Sequence, residues 1–232
     1  GMVKPIFYEE GYETNNLNLK YEGLTTQDED LGFIPRLAKE WKINEDQTEI
    51  TFILEEGVKW HDGEEFTAHD VVYTYQAISD PDYVNAGGIR TTYAEPLLGY
   101  DDYVSGESSE FLGVVADSDY QVTFKFTEPS VIPLYYSSFT IIPKHVFEDI
   151  PVAEIPEAPE SLAAGKVIGT GPFKFADRIE REQYILGKHA DYWQGEPNFD
   201  KLVWSSVDGS VMTGLLENGE CDFIDLQGGV DP

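Results

Sequence analysis

Residues 120–126 read Tyr-Gln-Val-Thr-Phe-Lys-Phe, with polar and apolar side chains alternating at a period of two. Successive side chains on a strand point to opposite faces, so this pattern belongs to a half-buried strand and not to a helix. The same alternation recurs at Ile50-Thr51-Phe52-Ile53-Leu54 and Phe173-Lys174-Phe175, and Lys201-Leu202-Val203-Trp204 and Cys221-Asp222-Phe223-Ile224-Asp225 are further strand candidates. Helices are fewer. In the stretch from Thr67, the apolar residues Ala68, Val71, Val72, Tyr75 and Ile78 share one face, and Thr67 and Asp70 have capping-box spacing with Asp replacing the usual Glu or Gln. A second helix is expected from Ser210 to Asn218, burying Val211, Met212, Leu215 and Leu216 and ending at Gly219. Interleaved strands and helices make a mixed α/β or α+β chain.

Two segments read as connections. Residues 150–160 carry three prolines and three glutamates, which disfavour a regular element and predict an exposed link between the two halves. Asp101 to Glu110 reads as a second polar loop.

Charge narrows the partners. Fifteen basic against 44 acidic residues leave a formal charge of -29, which repels nucleic acid phosphates and anionic headgroups. Cys221 is the only cysteine, so no intrachain disulfide, Cys-rich metal site or Cys-x-x-Cys redox pair can form. No run reaches the roughly 18 apolar residues of a membrane-spanning helix. Gly1-Met2 leading directly into strand-like sequence is expected to mark an artificial boundary, which leaves room for a removed export signal.

Candidate chemistry is sparse. Trp60-His61-Asp62-Gly63 and His69-Asp70 place two histidines and two aspartates within ten residues, a combination that raises a metal site. However, Asp62-Gly63 is a turn signal and Asp70 is the helix cap, so His61 and His69 fall on opposite sides of a loop-to-helix junction and read as scaffold. Gly169-Thr170-Gly171-Pro172 lacks the Lys-Ser/Thr of a phosphate loop; its glycines are expected to permit a positive-φ turn where two segments pack closely. No Gly-x-Ser-x-Gly elbow is present, and Cys221 has no local histidine. Tyr83, Tyr93, Tyr100 and Tyr103 lie in loop-like sequence, either as aromatic walls of a ligand cleft or as packing lids.

Eight segments in order resemble the family 5 extracellular solute-binding proteins of peptide, nickel and related ABC importers. They are Tyr21-Glu22-Gly23-Leu24, Leu37-Ala38-Lys39-Glu40-Trp41, residues 57–63, residues 66–73, Ile142-Pro143-Lys144-His145, Gly169-Thr170-Gly171-Pro172-Phe173, Asp191-Tyr192-Trp193, and Gly219-Glu220-Cys221-Asp222-Phe223. The resemblance implies an α/β, periplasmic-binding-protein-like (type II) lobe of mixed sheet and helices with an inserted α+β subdomain. Residues 1–20 plus 149–232 would form the lobe core and residues 21–148 the insertion. Family members are about twice as long, so the second lobe is expected to be absent and the chain a truncated piece.

The function so implied is non-enzymatic, with no cofactor and no metal: capture of an oligopeptide, dipeptide or related small solute outside the cell and delivery to a permease. The native protein would be lipid-anchored at the extracellular face of the membrane or periplasmic. Ligand contacts carry over to Glu10, Gly11, Tyr12 and Tyr83, and to Asp225, Leu226 and Gln227 on the strand crossing to the second lobe. Two rival readings are a metal-dependent enzyme using His61 and Asp62, and a surface interaction module.

Overall fold

The computed structural model describes residues 4–8, 11–179, 183–205 and 207–224, without the side chains of 11–13. A short helix α1 (Gly11–Leu17) leads into a two-stranded hairpin, β1 (Thr25–Gln27) and β2 (Phe33–Pro35). A four-stranded antiparallel sheet follows, in the order β3 (Ala38–Ile43), β4 (Glu49–Leu54), β6 (Gln121–Lys125), β5 (Val114–Ser118). Its central strand β4 shows the alternation read from sequence: Ile50, Phe52 and Leu54 are fully buried, while Thr51 and Ile53 are only half-buried. Each fully buried aliphatic or aromatic side chain of this kind stabilises the fold by about 1.5–3 kcal/mol.

Between β4 and β5 run α2 (Ala68–Ile78) and α3 (Tyr100–Val104). Helix α2 packs on β5 and β6 through the expected face, where Ala68, Val71, Tyr75 and Ile78 are buried and the Tyr75 ring stands edge-on to Phe124 at 4.8 Å. Its capping box is complete, with Thr67 Oγ1 accepting from the His69 N–H and the Asp70 carboxylate accepting from the Thr67 N–H. Three short helices follow, α4 (Pro133–Tyr136), α5 (Lys144–Phe147) and α6 (Pro159–Leu162). A three-stranded antiparallel meander, β7 (Phe173–Ile179), β8 (Gln183–Lys188) and β9 (Lys201–Ser205), precedes α7 (Gly209–Glu217).

The described residues before β1 bond to residues 83–90 and to residues 171–173. The Tyr83 hydroxyl donates to the Ile6 carbonyl at 2.6 Å and Arg90 to the Tyr8 carbonyl, whereas the carbonyls of Leu19 and Lys20 accept from the N–H groups of Phe173 and Gly171.

Four local expectations are corrected. Residues 150–160 are not a bare link but a 3-10 turn (Val152–Glu157) running into α6; Pro159 sits at a helix start, where its missing N–H costs nothing, and Ile155 enters the core. Asp101 to Glu110 is not loop throughout, because α3 takes its first residues. Residues 221–224 form no strand, and Asp225 lies outside the described residues. Helix α7 forms on an Asp208 cap, yet Val211 and Leu216 are exposed and Met212 and Leu215 half-buried, since no described element packs over that face.

Candidate functional site

The histidine cluster resolves into cross-links. His61 is buried; its Nε2–H donates to the Gly171 carbonyl at 2.9 Å and its Nδ1 accepts from the Gly169 N–H at 3.1 Å. With both ring nitrogens engaged in this way the imidazole is held neutral, and desolvation lowers its pKa from 6.5 to about 3. Asp62 pairs with His145 at 2.8 Å, and Gly63 closes the turn at φ +98°. His69 points to solvent, 3.5 Å from Asp119. Among the described residues, no group of three His, Cys, Asp or Glu side chains is placed to hold a metal ion.

Asp70, 4% exposed, does more than cap. Its Oδ2 accepts from the Thr67 N–H (2.9 Å) and the Trp60 indole N–H (3.4 Å), and its Oδ1 accepts from the Lys144 N–H (2.8 Å). Desolvation outweighs these donors and raises its pKa.

Gly169 and Gly171 are required by close approach. Neither is among the positive-φ glycines, which corrects the expected turn; instead a Cβ on Gly169 would lie 1.9 Å from the Lys20 carbonyl oxygen, and one on Gly171 2.6 Å from that of Leu19.

A concave feature that could receive a ligand is an open cleft of about 440 Å³ between α1, the β1–β2 hairpin and α4. Thr14 and Asn18 come from α1 and its end, and Thr25, Thr26, Gln27 and Phe33 from the hairpin. The rings of Tyr8, Tyr93, Tyr135 and Phe139 form an aromatic wall, with Tyr93 stacked on Tyr135 at 5.3 Å and packed on Phe139 at 4.7 Å.

Glu22 and Arg36 line the same cleft. The Glu22 carboxylate is buried and accepts from Arg36 Nε (2.5 Å), the Tyr192 hydroxyl (2.7 Å) and the Trp193 indole N–H (3.0 Å). Arg36 donates further to the Tyr192 hydroxyl (2.7 Å) and to Gln194 Oε1 (2.8 Å). Burial and the Glu22 charge push the Tyr192 phenol far above its ordinary pKa, so it stays a donor.

The sequence-predicted contacts fall unevenly on this picture. Gly11 and Tyr12 open α1, the helix that contributes Thr14 to the cleft. Tyr83 is 0% exposed, its hydroxyl bound to Ile6 and its ring 4.9 Å from that of Phe7, so in this chain it supports the region from beneath. Glu10, Asp225, Leu226 and Gln227 lie outside the described residues. Of the loop tyrosines, Tyr93 joins the cleft, while Tyr100 and Tyr103 pack against the core. Sequence reasoning missed the Glu22, Arg36 and Tyr192 network. Its signal was present in the segments around Glu22 and Tyr192, but not their pairing across 170 positions.

Along nearly its whole length the chain is similar to known proteins. The family model described as "Bacterial extracellular solute-binding proteins, family 5 Middle" matches residues 32–230. The oligopeptide-binding protein AppA of Bacillus subtilis (strain 168) is 29% identical over 231 residues, spanning 96% of this chain but 39% of AppA. Heme-binding protein A of Haemophilus influenzae is 30% identical over 197 residues, 82% of this chain and 35% of that protein. The solved structure of AppA from Bacillus subtilis in complex with a nonapeptide matches with a TM-score of 0.80 at 28% identity, over 95% of this chain and 40% of that one. The mixed α/β architecture is that of a single periplasmic-binding-protein-like lobe, and the chain spans well under half the length of the relatives it matches.

Proposed function

The chain belongs to the bacterial extracellular solute-binding proteins of family 5, and we propose that it forms one wall of a two-walled cleft that captures an oligopeptide, dipeptide or related small solute for an ABC importer. The observation that carries this reading is the cleft lined by Tyr8, Tyr93, Tyr135 and Phe139 on one side and by Thr14, Asn18, Thr25 and Gln27 on another. Aromatic faces desolvate a ligand's apolar parts, and neutral hydroxyls and amides meet its hydrogen-bonding groups.

Binding, not catalysis, suits such a wall. His61 and Asp62, the residues of the metal-enzyme alternative, are committed to backbone groups and to His145. We propose Glu10, Gly11, Tyr12, Asp225, Leu226 and Gln227 as further ligand contacts in the whole protein.

In the native protein the ligand would be delivered to permease subunits from the extracellular face of the membrane or the periplasm, with a lipid anchor holding the carrier there. A residues 1–20 plus 149–232 core with 21–148 inserted is the proposed division of this lobe. The support is that the Leu19 and Lys20 carbonyls hydrogen-bond to residues 171 and 173.

Isothermal calorimetry on the native full-length protein with a defined pool of di- to hexapeptides tests the function. Saturable peptide binding is expected. Saturation by a nickel chelate or haem, with no heat from any peptide, would overturn the peptide assignment.

A further inference from the structure

Arg36 is more than a structural ion-pair partner. A guanidinium carries five N–H donors. Three are engaged, by Glu22 Oε1, the Tyr192 hydroxyl and Gln194 Oε1, all between 2.5 and 2.8 Å. These three acceptors fix the position of the group, yet the side chain remains 27% exposed and borders the cleft. Two N–H groups are therefore held in place with no acceptor among the described residues.

A second unused group lines the same cleft. Thr25 is 4% exposed, and its Oγ1 is buried without a hydrogen-bond partner among the described residues. Leaving a buried hydroxyl unpaired costs stability, and a bound ligand would relieve that cost.

The charge of the missing acceptor follows from the surroundings. Glu22 already sits against the Arg36 guanidinium and balances it, and Glu22 and Arg36 are the only charged residues lining the cleft among those described. A ligand carboxylate placed there would bring a second negative charge beside the buried Glu22, inside a chain of formal charge -29. A neutral oxygen brings none and still accepts from a cationic donor, which gives a stronger bond than a neutral one.

Resting on the solute-binding reading above, we propose that Arg36 and Thr25 form a subsite for an uncharged oxygen acceptor, the carbonyl of an amide. Glu22, Tyr192 and Gln194 are its positioning residues: they hold the guanidinium and need not touch the ligand. Because Tyr192 and Gln194 lie more than 150 positions from Arg36, the donor is set by the packing of distant segments and not by the hairpin alone.

The test is a nitrogen–proton NMR titration of this chain, observing backbone amides and the Arg36 Nε–H. The probes are acetyl-trialanine amide, which is uncharged, and trialanine with free termini. The expected result is that the blocked peptide shifts the Arg36 Nε–H and the amides of Gly23, Thr25 and Thr26, and binds at least as tightly as the free peptide. Thr25→Val, which keeps the side-chain shape and leaves the Glu22 pair intact, should weaken the blocked peptide about threefold or more; Arg36→Lys should weaken it about tenfold. Shifts confined to other surfaces, or a free peptide binding tenfold tighter than the blocked one, would overturn the subsite while leaving solute binding in place. No shift anywhere with either peptide at millimolar concentration would also overturn the subsite, while the solute-binding reading stands or falls on the calorimetry of the full-length protein.

Discussion

Replacing Asp70 by alanine tests whether the Trp60 to Asp70 cluster is architecture. The carboxylate, almost fully buried, accepts from the Thr67 and Lys144 N–H groups at 2.9 and 2.8 Å and more weakly from the Trp60 indole at 3.4 Å. Hydrogen bonds to a charged acceptor contribute about 1.5–3 kcal/mol each, and orphaned buried donors cost about 1–3 kcal/mol. Two good bonds and half of a capping box would then account for roughly 4–5 kcal/mol, from which the relief of burying a charge must be subtracted. Desolvation is the largest influence on Asp70 and raises its pKa, so that relief is real and a net loss of about 3 kcal/mol is expected. For a chain of this length this corresponds to a fall in Tm of about 6–12 °C by differential scanning calorimetry. Asp70→Asn keeps one acceptor oxygen and removes the charge, so it should lose less than alanine does. A loss below about 1 kcal/mol for alanine, or asparagine proving worse than alanine, would refute the idea that this carboxylate joins helix, turn and residue 144.

Three further outcomes are expected. The His61 pKa falls from 6.5 to about 3 on folding, so between those values the unfolded chain binds more protons; stability is full above pH 6.5 and is lost as pH falls towards 3, by about 5 kcal/mol at most, and urea titrations of His61→Asn should show a flatter pH dependence over that window. Gly169→Ala must displace the Lys20 carbonyl backbone and should cost more than 3 kcal/mol or prevent folding, whereas Gly209→Ala, with open space around it, should shift Tm by less than about 2 °C. Val211→Ser and Leu216→Ser should change the stability of this chain by less than about 1 kcal/mol, because both side chains are already exposed; a larger loss by calorimetry would mean that the helix face is covered.

Legibility followed the range of the interactions. The β4 alternation and the Thr67 to Asp70 cap are local patterns, and the structure has both. The 120–126 alternation marks β6 as a strand but not its burial: Thr123 is buried with Val122 and Phe124, its hydroxyl engaged by Thr51 and Asp117. The burial of α7 was misjudged because amphipathic spacing shows which face is apolar, not whether a partner element lies against it. The 150–160 turns were misread because prolines and glutamates signal a break locally, while Ile155 is drawn into the core by distant residues. Glu22, Arg36 and Tyr192 could not be paired by reading along the chain, since no period or spacing connects positions 22, 36 and 192.

This division has a physical consequence for where specificity resides. Trp60, His61, Asp70, Gly169 and Gly171 tie the turn, the helix and the entry to β7 through buried hydrogen bonds and close backbone approach. Substitution at any of them leaves a buried donor, acceptor or carbonyl without room or partner, which is why such residues form a recognisable pattern. The cleft residues Thr14, Asn18, Thr26, Gln27 and Tyr135 carry no such constraint, since exposed or half-exposed polar groups are satisfied by water when no ligand is present. They can change with little cost to the fold, so the same scaffold can present different walls to different solutes. Arg36 is the exception that joins the two sets: its buried partner Glu22 ties it to the scaffold, while its exposed edge faces the cleft. A donor fixed by the scaffold suits a ligand group common to many solutes, and the carbonyl oxygen of an amide recurs in every peptide whatever its side chains.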